Sequence, residues 1–247
     1  MCILKVFEIE NICYSYPDGT KALNDLSFSV YEGEILGIAG ANGSGKSTLL
    51  MLMMGCLSPL HGKIIYEGEK LSKEKLMTMR RATGILFQDP DDQLFLPTVW
   101  EDVAFGPRNL GLTEEEVASR VNSALRDTGI EALANKAPWK LSGGEKTLAA
   151  LAGLFAMRPK TLLLDEPTSG LDPKSRRELI NIIAGTKITA VIATHDLDMV
   201  MDVCQRVVIM KNGTIESDGG VPGVLTDRKF MESCGLEIPL SLTSRFS

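Results

Sequence analysis

The sequence contains no apolar run approaching the roughly 20 residues that a membrane-spanning helix requires. Its longest, Leu49–Leu57, stops far short, so no part of the chain is expected to cross a bilayer. Cysteine is sparse: Cys2, Cys13, Cys56, Cys204 and Cys234 are scattered, odd in number and never spaced as C-x-x-C. That argues against a disulfide framework or a zinc site and fits reduced thiols in a cytosolic protein. Basic residues are outnumbered, 26 Lys and Arg against 32 Asp and Glu, for a formal net charge of −6. A duplex-binding surface normally needs a basic excess, so no nucleic-acid partner is expected. There is no internal repeat, low-complexity tract or obvious linker. An acidic residue as early as Glu8 argues against a secretory signal peptide.

What is present is 247 residues, 44% hydrophobic, enough to bury a large core as one α/β domain with an inserted lobe or as two small domains. The apolar run Ile35–Ala39 reads as a buried strand. It leads into Gly40, Ala41, Asn42, Gly43, Ser44, Gly45, Lys46, Ser47 and Thr48, which hold the spacing G-x-x-x-x-G-K-[ST]. The glycines let the backbone turn its N–H groups inward around a polyphosphate, and a helix starting near Lys46 adds its positive end. Lys46 can reach the β- and γ-phosphates, and the Ser47 hydroxyl can ligand magnesium. The bland alternative is a glycine-rich turn that only joins strand to helix.

Short strands are expected at Val6–Ile9 and Leu26–Val30, with turns at Pro17–Gly19 and Glu32–Gly33, as an antiparallel region laid against the nucleotide core. Tyr16 can stack on a purine base or simply pack. Ile85–Gln88 reads as a strand whose polar end, Gln88, faces a metal or water, or caps the surface. Helices are expected over Ser72–Arg81, from a Thr113–Glu116 cap to Thr128, over Lys146–Met157, and from Pro173 to Gly185. Ser142, Gly143 and Gly144 form either a second anion site at a helix start or a plain N-cap. Thr161–Asp165 is a fully buried strand of the parallel kind, ending in Asp165 and Glu166. Adjacent carboxylates there lose solvation unless cations balance them. They suit a magnesium shell and a polarised water respectively; the alternative is helix capping. Ala190–Thr194 is a parallel neighbour ending at His195, which can point at the same phosphate. His61 reads as surface.

With Gly40–Thr48, Leu141–Glu145, Asp165–Glu166 and His195 in this order, the sequence resembles the nucleotide-binding subunits of ATP-binding cassette transporters, from about Val6 to Ser217. The resemblance implies a P-loop α/β core with an antiparallel β subdomain (about 1–88 and 159–220), a helical insert (about 89–158) and a short C-terminal tail (221–247). It implies ATP and Mg2+ as ligands. Tyr16 matches the adenine-stacking aromatic, Gln88 the Q-loop glutamine, and Asp165 the magnesium-binding acid, so that Ser47, Gln88 and Asp165 form the metal set. Glu166 matches the general base and His195 the switch histidine. Leu141, Ser142, Gly143, Gly144 and Glu145 match the signature that acts on the ATP of a second subunit, and Ser169, Gly170, Leu171 and Asp172 match the D-loop. Lys146-Thr147-Leu148 departs from the basic run that commonly follows the signature.

The stretches Phe87–Phe95 and Pro97–Pro107 are similar to the ATPases of energy-coupling-factor importers for cobalt, nickel or B vitamins. That likeness implies a second ATPase subunit, identical or paralogous, an integral membrane partner docking near Leu94, Phe95, Leu96 and Trp100, and a peripheral location on the cytoplasmic face of the membrane. The rival is a soluble cassette ATPase in protein assembly, DNA maintenance or translation.

Overall fold

The computed structural model describes residues 4–243; Cys2 and the last four residues of the expected tail lie outside the described residues. Strands β1 (Lys5–Ser15), β2 (Lys21–Tyr31) and β3 (Ile35–Ala39) lead into α1 (Lys46–Met53). Next come β4 (His61–Tyr66), β5 (Glu69–Lys70), α2 (Lys73–Ala82) and β6 (Thr83–Leu86). Helices α3 (Val99–Asn109), α4 (Glu114–Asp127) and α5 (Gly143–Ala156) follow without an intervening strand. The chain then alternates through β7 (Thr161–Asp165), α6 (Pro173–Gly185), β8 (Thr189–Thr194), α7 (Leu197–Val203) and β9 (Arg206–Lys211). It finishes with β10 (Thr214–Gly220), α8 (Val221–Leu225), α9 (Arg228–Ser233) and α10 (Leu240–Thr243).

Two sheets result. One is antiparallel in the order β2-β1-β4-β5; the other runs β10-β9-β3-β8-β7-β6, parallel from β9 through β6 with β10 antiparallel at its edge. Strands β3, β7 and β8 are buried along their whole length, as expected of parallel strands covered on both faces. Their carboxyl ends lie side by side. Asp165 pairs with Ala193, and Ala39 with Thr194. Residues 40–48, 165–166 and 195 are therefore brought to one crevice, the place where open α/β sheets bind ligands.

The antiparallel strands are longer than the alternation predicts because β1 and β2 pair with register shifts around Ile9–Ser15. Asn11 and Asp25 take left-handed conformations there, and bulges interrupt the two-residue period on which the reading depends. The P-loop helix ends at Met53, so the apolar run to Leu57 continues beyond it. Strand β6 stops at Leu86, leaving Gln88 in the following loop instead of at the strand tip. Helix α5 starts at Gly143, three residues before the expected Lys146, on the Ser142 cap. Helix α3 lies within the stretch expected to be a helical insert, although it was not singled out, and it carries Pro107 inside its last turn. His61 opens β4 and is exposed.

The apolar faces of α3, α4 and α5 share one continuous core with β3 and β6–β9. The insert is thus packed on the sheet instead of owning a separate core. Residues beyond 220 are likewise anchored, since Val221, Leu225, Met231 and Cys234 are buried in that core.

The two sheets are tied through Arg206 on β9. Its guanidinium donates to both Glu34 oxygens (2.7 and 2.8 Å), to Asp218 Oδ1 (2.6 Å) and to the Ser29 carbonyl (2.6 Å), and it lies 5.3 Å from the Tyr31 ring. Removing one member of a largely buried ion pair strands the other charge. Arg206→Ala is expected to lower the free energy of unfolding by about 3 kcal/mol, and Glu34→Gln by less. Urea titration of both variants checks this; an unchanged Arg206→Ala midpoint would show that the sheets need no such tie.

Candidate functional site

Gly45 ends the loop before α1 with φ +104°, and a Cβ on it would stand 2.6 Å from Leu23 Cδ2 and 2.7 Å from the Ala22 carbonyl. Only glycine fits, so the antiparallel sheet presses directly on the loop that opens the helix. The cleft above that loop has a volume of about 580 Å³. Its walls hold Tyr16, Asn42, Gly43, Gly45, Lys46, Ser47, Thr48, Gln88, Glu166, Ser169 and His195, together with Thr20, Lys21 and Ala22, which sequence reasoning did not single out.

Lys46 is 6% exposed and donates to the Gly40 and Ala41 carbonyls at 2.8 and 3.3 Å. Its Nζ also lies 3.4 Å from Glu166 Oε1. The other oxygen, Glu166 Oε2, accepts from the Thr194 hydroxyl (3.0 Å) and the His195 N–H (3.2 Å), and is 2.9 Å from His195 Nδ1. Glu166 itself has φ +45°, a conformation rare outside glycine, and its N–H is tied to the Ala193 carbonyl at 2.7 Å. A buried glutamate in a left-handed bend is not capping a helix; the next helix begins only at Pro173. Thr194, the last residue of β8, is a site residue the sequence reading passed over. A hydroxyl closing an apolar strand beside His195 was the available signal.

Asp165 is 7% exposed, and its Oδ1 has no hydrogen-bond partner. Burial pushes its carboxyl above the ordinary range, a hydrogen bond with Ser47 opposes this, and the Glu166 charge pushes the same way as burial. A buried carboxylate oxygen without a partner, next to a hydroxyl, is a donor set suited to a hard divalent cation.

Tyr16 stands at the cleft rim, its hydroxyl 2.8 Å from Thr48 Oγ1 and its ring edge-on to Tyr14 at 5.2 Å. The loop carrying Gln88 is closed by Gln93, whose amide donates to the Ile85 carbonyl and accepts from the Phe87 N–H, both at 2.9 Å. Beyond it, Leu94 is buried in the core and Trp100 packs against it, whereas Phe95 is 63% exposed and stacks edge-on against Phe105, 44% exposed, at 5.1 Å. Of the expected contact residues Phe95 is the most open; Phe105, five residues beyond the expected set, joins it.

Leu141–Glu145 do not line this cleft. Leu141 is buried, Ser142 and Gly143 are exposed, and Ser142 forms a capping box with Glu145, accepting from its N–H at 3.3 Å while Glu145 Oε2 accepts from the Ser142 N–H at 2.8 Å. Asp172, expected in the D-loop, caps α6 by accepting from the Lys174 and Ser175 N–H groups. Ser169 reaches the cleft.

With this geometry in view, residues 23–169 match the family model described as ABC transporter. The energy-coupling factor transporter ATP-binding protein EcfA of Methanothermobacter thermautotrophicus is 42% identical over 95% of this chain and 77% of that protein. Among solved structures, cbiO1 of Clostridium perfringens, part of the ABC transporter complex cbiONQ, superposes with a TM-score of 0.84 at 38% identity over 98% of both chains. The cassette MJ0796, a dimer bound to ADP and Pi in a post-hydrolysis state, matches with a TM-score of 0.79 at 28% identity over 87% of this chain and 98% of that one. The chain belongs to the ABC transporter family. It is an ABC ATPase, an ATP-hydrolysing transporter subunit. Among the described residues, no helix is long and apolar enough to cross a membrane.

The Asp165 geometry yields a sign. Its charged form weakens the fold above the usual carboxylate pKa and protonation relieves the cost below it, so this contribution is lost as pH rises through the raised pKa. Asp165→Asn is expected to raise the melting temperature of the metal-free chain by roughly 2–4 °C and to erase the extra stabilisation that Mg2+ gives in the presence of ATP. Melting curves with and without each ligand check both; a retained magnesium increment would remove Asp165 from the metal set.

Proposed function

We propose that this chain binds ATP and Mg2+ in the 40–48 cleft, hydrolyses ATP together with a second cassette subunit, and so powers import of a small substrate through a separate membrane component. The observation that carries the reading is the cluster of Lys46, Glu166 and His195, three side chains from three strand tips held within 3.4 Å contacts of Glu166. The likeness of residues 87–107 to energy-coupling-factor importers favours import, with a metal ion such as cobalt or nickel, or a vitamin, as cargo, and the relative named energy-coupling factor transporter ATP-binding protein supports that likeness.

The loop N–H groups of residues 43–46 cradle the phosphates, and the start of α1 adds its dipole. Lys46, already buried, exchanges carbonyl partners for phosphate oxygens. Tyr16 stacks on adenine. Ser47, Asp165 and Gln88 would hold the magnesium ion, which supplies charge neutralisation on the phosphates when bound. Glu166 orients and deprotonates the attacking water, and His195 holds both Glu166 and the γ-phosphate. The signature residues Ser142–Gly144 do not line their own cleft, and MJ0796 is described as a dimer; both support a role for them on the ATP of the second subunit. The capping box of Ser142 is compatible with this role, since it leaves the helix start exposed.

Glu166→Gln is expected to retain ATP binding while turnover falls at least about a hundredfold, as loss of a general base requires. Nucleotide titration and phosphate release on the same preparation measure the two effects; undiminished turnover would remove Glu166 from the chemistry.

The exposed Phe95–Phe105 pair beside the Gln88 loop is the docking face for the membrane component, placing the chain peripherally at the cytoplasmic face of the membrane. Tagged chain is expected to copurify an integral membrane protein from detergent extracts of the source cells. The double substitution Phe95→Asp, Phe105→Asp should abolish that recovery without lowering the melting temperature, since both rings are exposed. Equal recovery of the membrane protein would put the docking face elsewhere.

A further inference from the structure

His195 is held on Glu166 from one side only, and its ring is more than half exposed, so something behind the histidine loop must fix its position. The next residue, Asp196, is part-buried and fully engaged. Its Oδ2 accepts from Arg176 Nε at 2.7 Å and from the Thr168 hydroxyl at 2.9 Å. Its Oδ1 accepts from Arg176 Nη2 at 2.7 Å and from the Met199 N–H at 3.0 Å. Burial pushes the Asp196 carboxyl up, but these donors outweigh it and hold the group below the usual carboxylate range. The Asp196 N–H in turn donates to the Thr194 hydroxyl at 3.0 Å, and that hydroxyl donates to Glu166 Oε2. Two-point guanidinium–carboxylate pairing of this kind fixes orientation as well as distance.

Arg176 sits in the first turn of α6, and the neighbouring Ser175 is where the signature helix touches it. A Cβ on Gly144 would stand 2.6 Å from Ser175 Oγ, so α5 and α6 meet with no room for a side chain between them. The adjacent Arg177 offers a natural contrast: it makes a single contact with Asp202, both groups are exposed, and neither leads back to Glu166.

We propose that Arg176 is a positioning residue of the hydrolytic site: its fork on Asp196, closed by Thr168, fixes His195 against Glu166 and links that histidine to the helix on which the signature glycine packs. The inference rests on the assignment of His195 to hydrolysis.

The sequence contains two histidines, His61 and His195, so their ring-proton NMR signals report the loop directly. In Arg176→Ala the His195 signals are expected to shift or broaden while those of His61 stay in place. ATP turnover should fall roughly tenfold to a hundredfold, the size typical for losing a group that orients a functional histidine, with half-saturating ATP changed less than about twofold. Arg176→Lys keeps the charge but not the fork, should show the same effects in weaker form, and stands in if the alanine variant does not fold. Arg177→Ala should leave turnover and both sets of signals as in the wild type. Unmoved His195 signals in the Arg176 variants, or a rise in half-saturating ATP at unchanged maximal turnover, overturn the proposal. His195→Ala separates the two readings. Wild-type turnover there defeats the histidine assignment and this inference with it, whereas lost turnover combined with unmoved His195 signals in the Arg176 variants defeats the inference alone.

Discussion

Glu166 is a carboxylate buried at the end of a parallel strand, and a buried charge survives only if the fold delivers partners to it. Here the partners come from the tips of adjacent strands: Lys46 from beyond β3, Thr194 and His195 from β8. Their convergence depends on the strand order β3-β8-β7, which places the three tips side by side. The left-handed backbone at Glu166 is part of the same constraint. A residue continuing the extended run would carry its side chain past the cleft, whereas the bend, held by the Ala193 carbonyl, turns it back toward Lys46.

Asp165 shows the complementary case. It shares the strand end but, among the described residues, forms no ion pair within 4.0 Å, although the Lys46 charge still acts on it, and one oxygen is left without a hydrogen-bond partner. Two neighbouring carboxylates thus have different surroundings: one satisfied within the chain, the other suited to a cation from outside it. That division is what a site needs if one acid is to work on water and the other on metal, and it follows from which strand tips lie nearest each.

Legibility in the sequence tracked the range of the interaction. Strand β7, helix α6 and the α4 capping box are local patterns, set by apolar runs and by Thr113, Glu116 and Pro173, and their bounds fall where the residues indicate. The crevice was legible because its main groups lie at strand ends or in one glycine loop. What was not legible depends on distant pairing. Arg206 meets Glu34 across 172 residues and Arg176 meets Asp196 across 20, and no local period marks either arginine. Leu94 and Phe95 look alike in sequence, yet only packing of α3 decides that one is core and the other surface. The bulges of β1 hide the second half of that strand for the opposite reason, by breaking a local period while the strand continues to Ser15.

The loop of residues 40–48 cannot be understood from its own cleft alone. Ser142–Gly144, proposed to act on the ATP of a second subunit, do not line that cleft; they open a helix whose apolar side is locked into the common core. Because α3–α5 share that core with the sheet, the signature helix start is held on the same packed body as the P-loop instead of on a separately cored lobe. A link that can yield is polar: Lys146, one residue past the signature, reaches Asp91 in the loop after Gln88 at 2.6 Å, and Asp91 is more than half exposed. An exposed ion pair of this kind contributes little stability, so it can break and re-form without loosening the core.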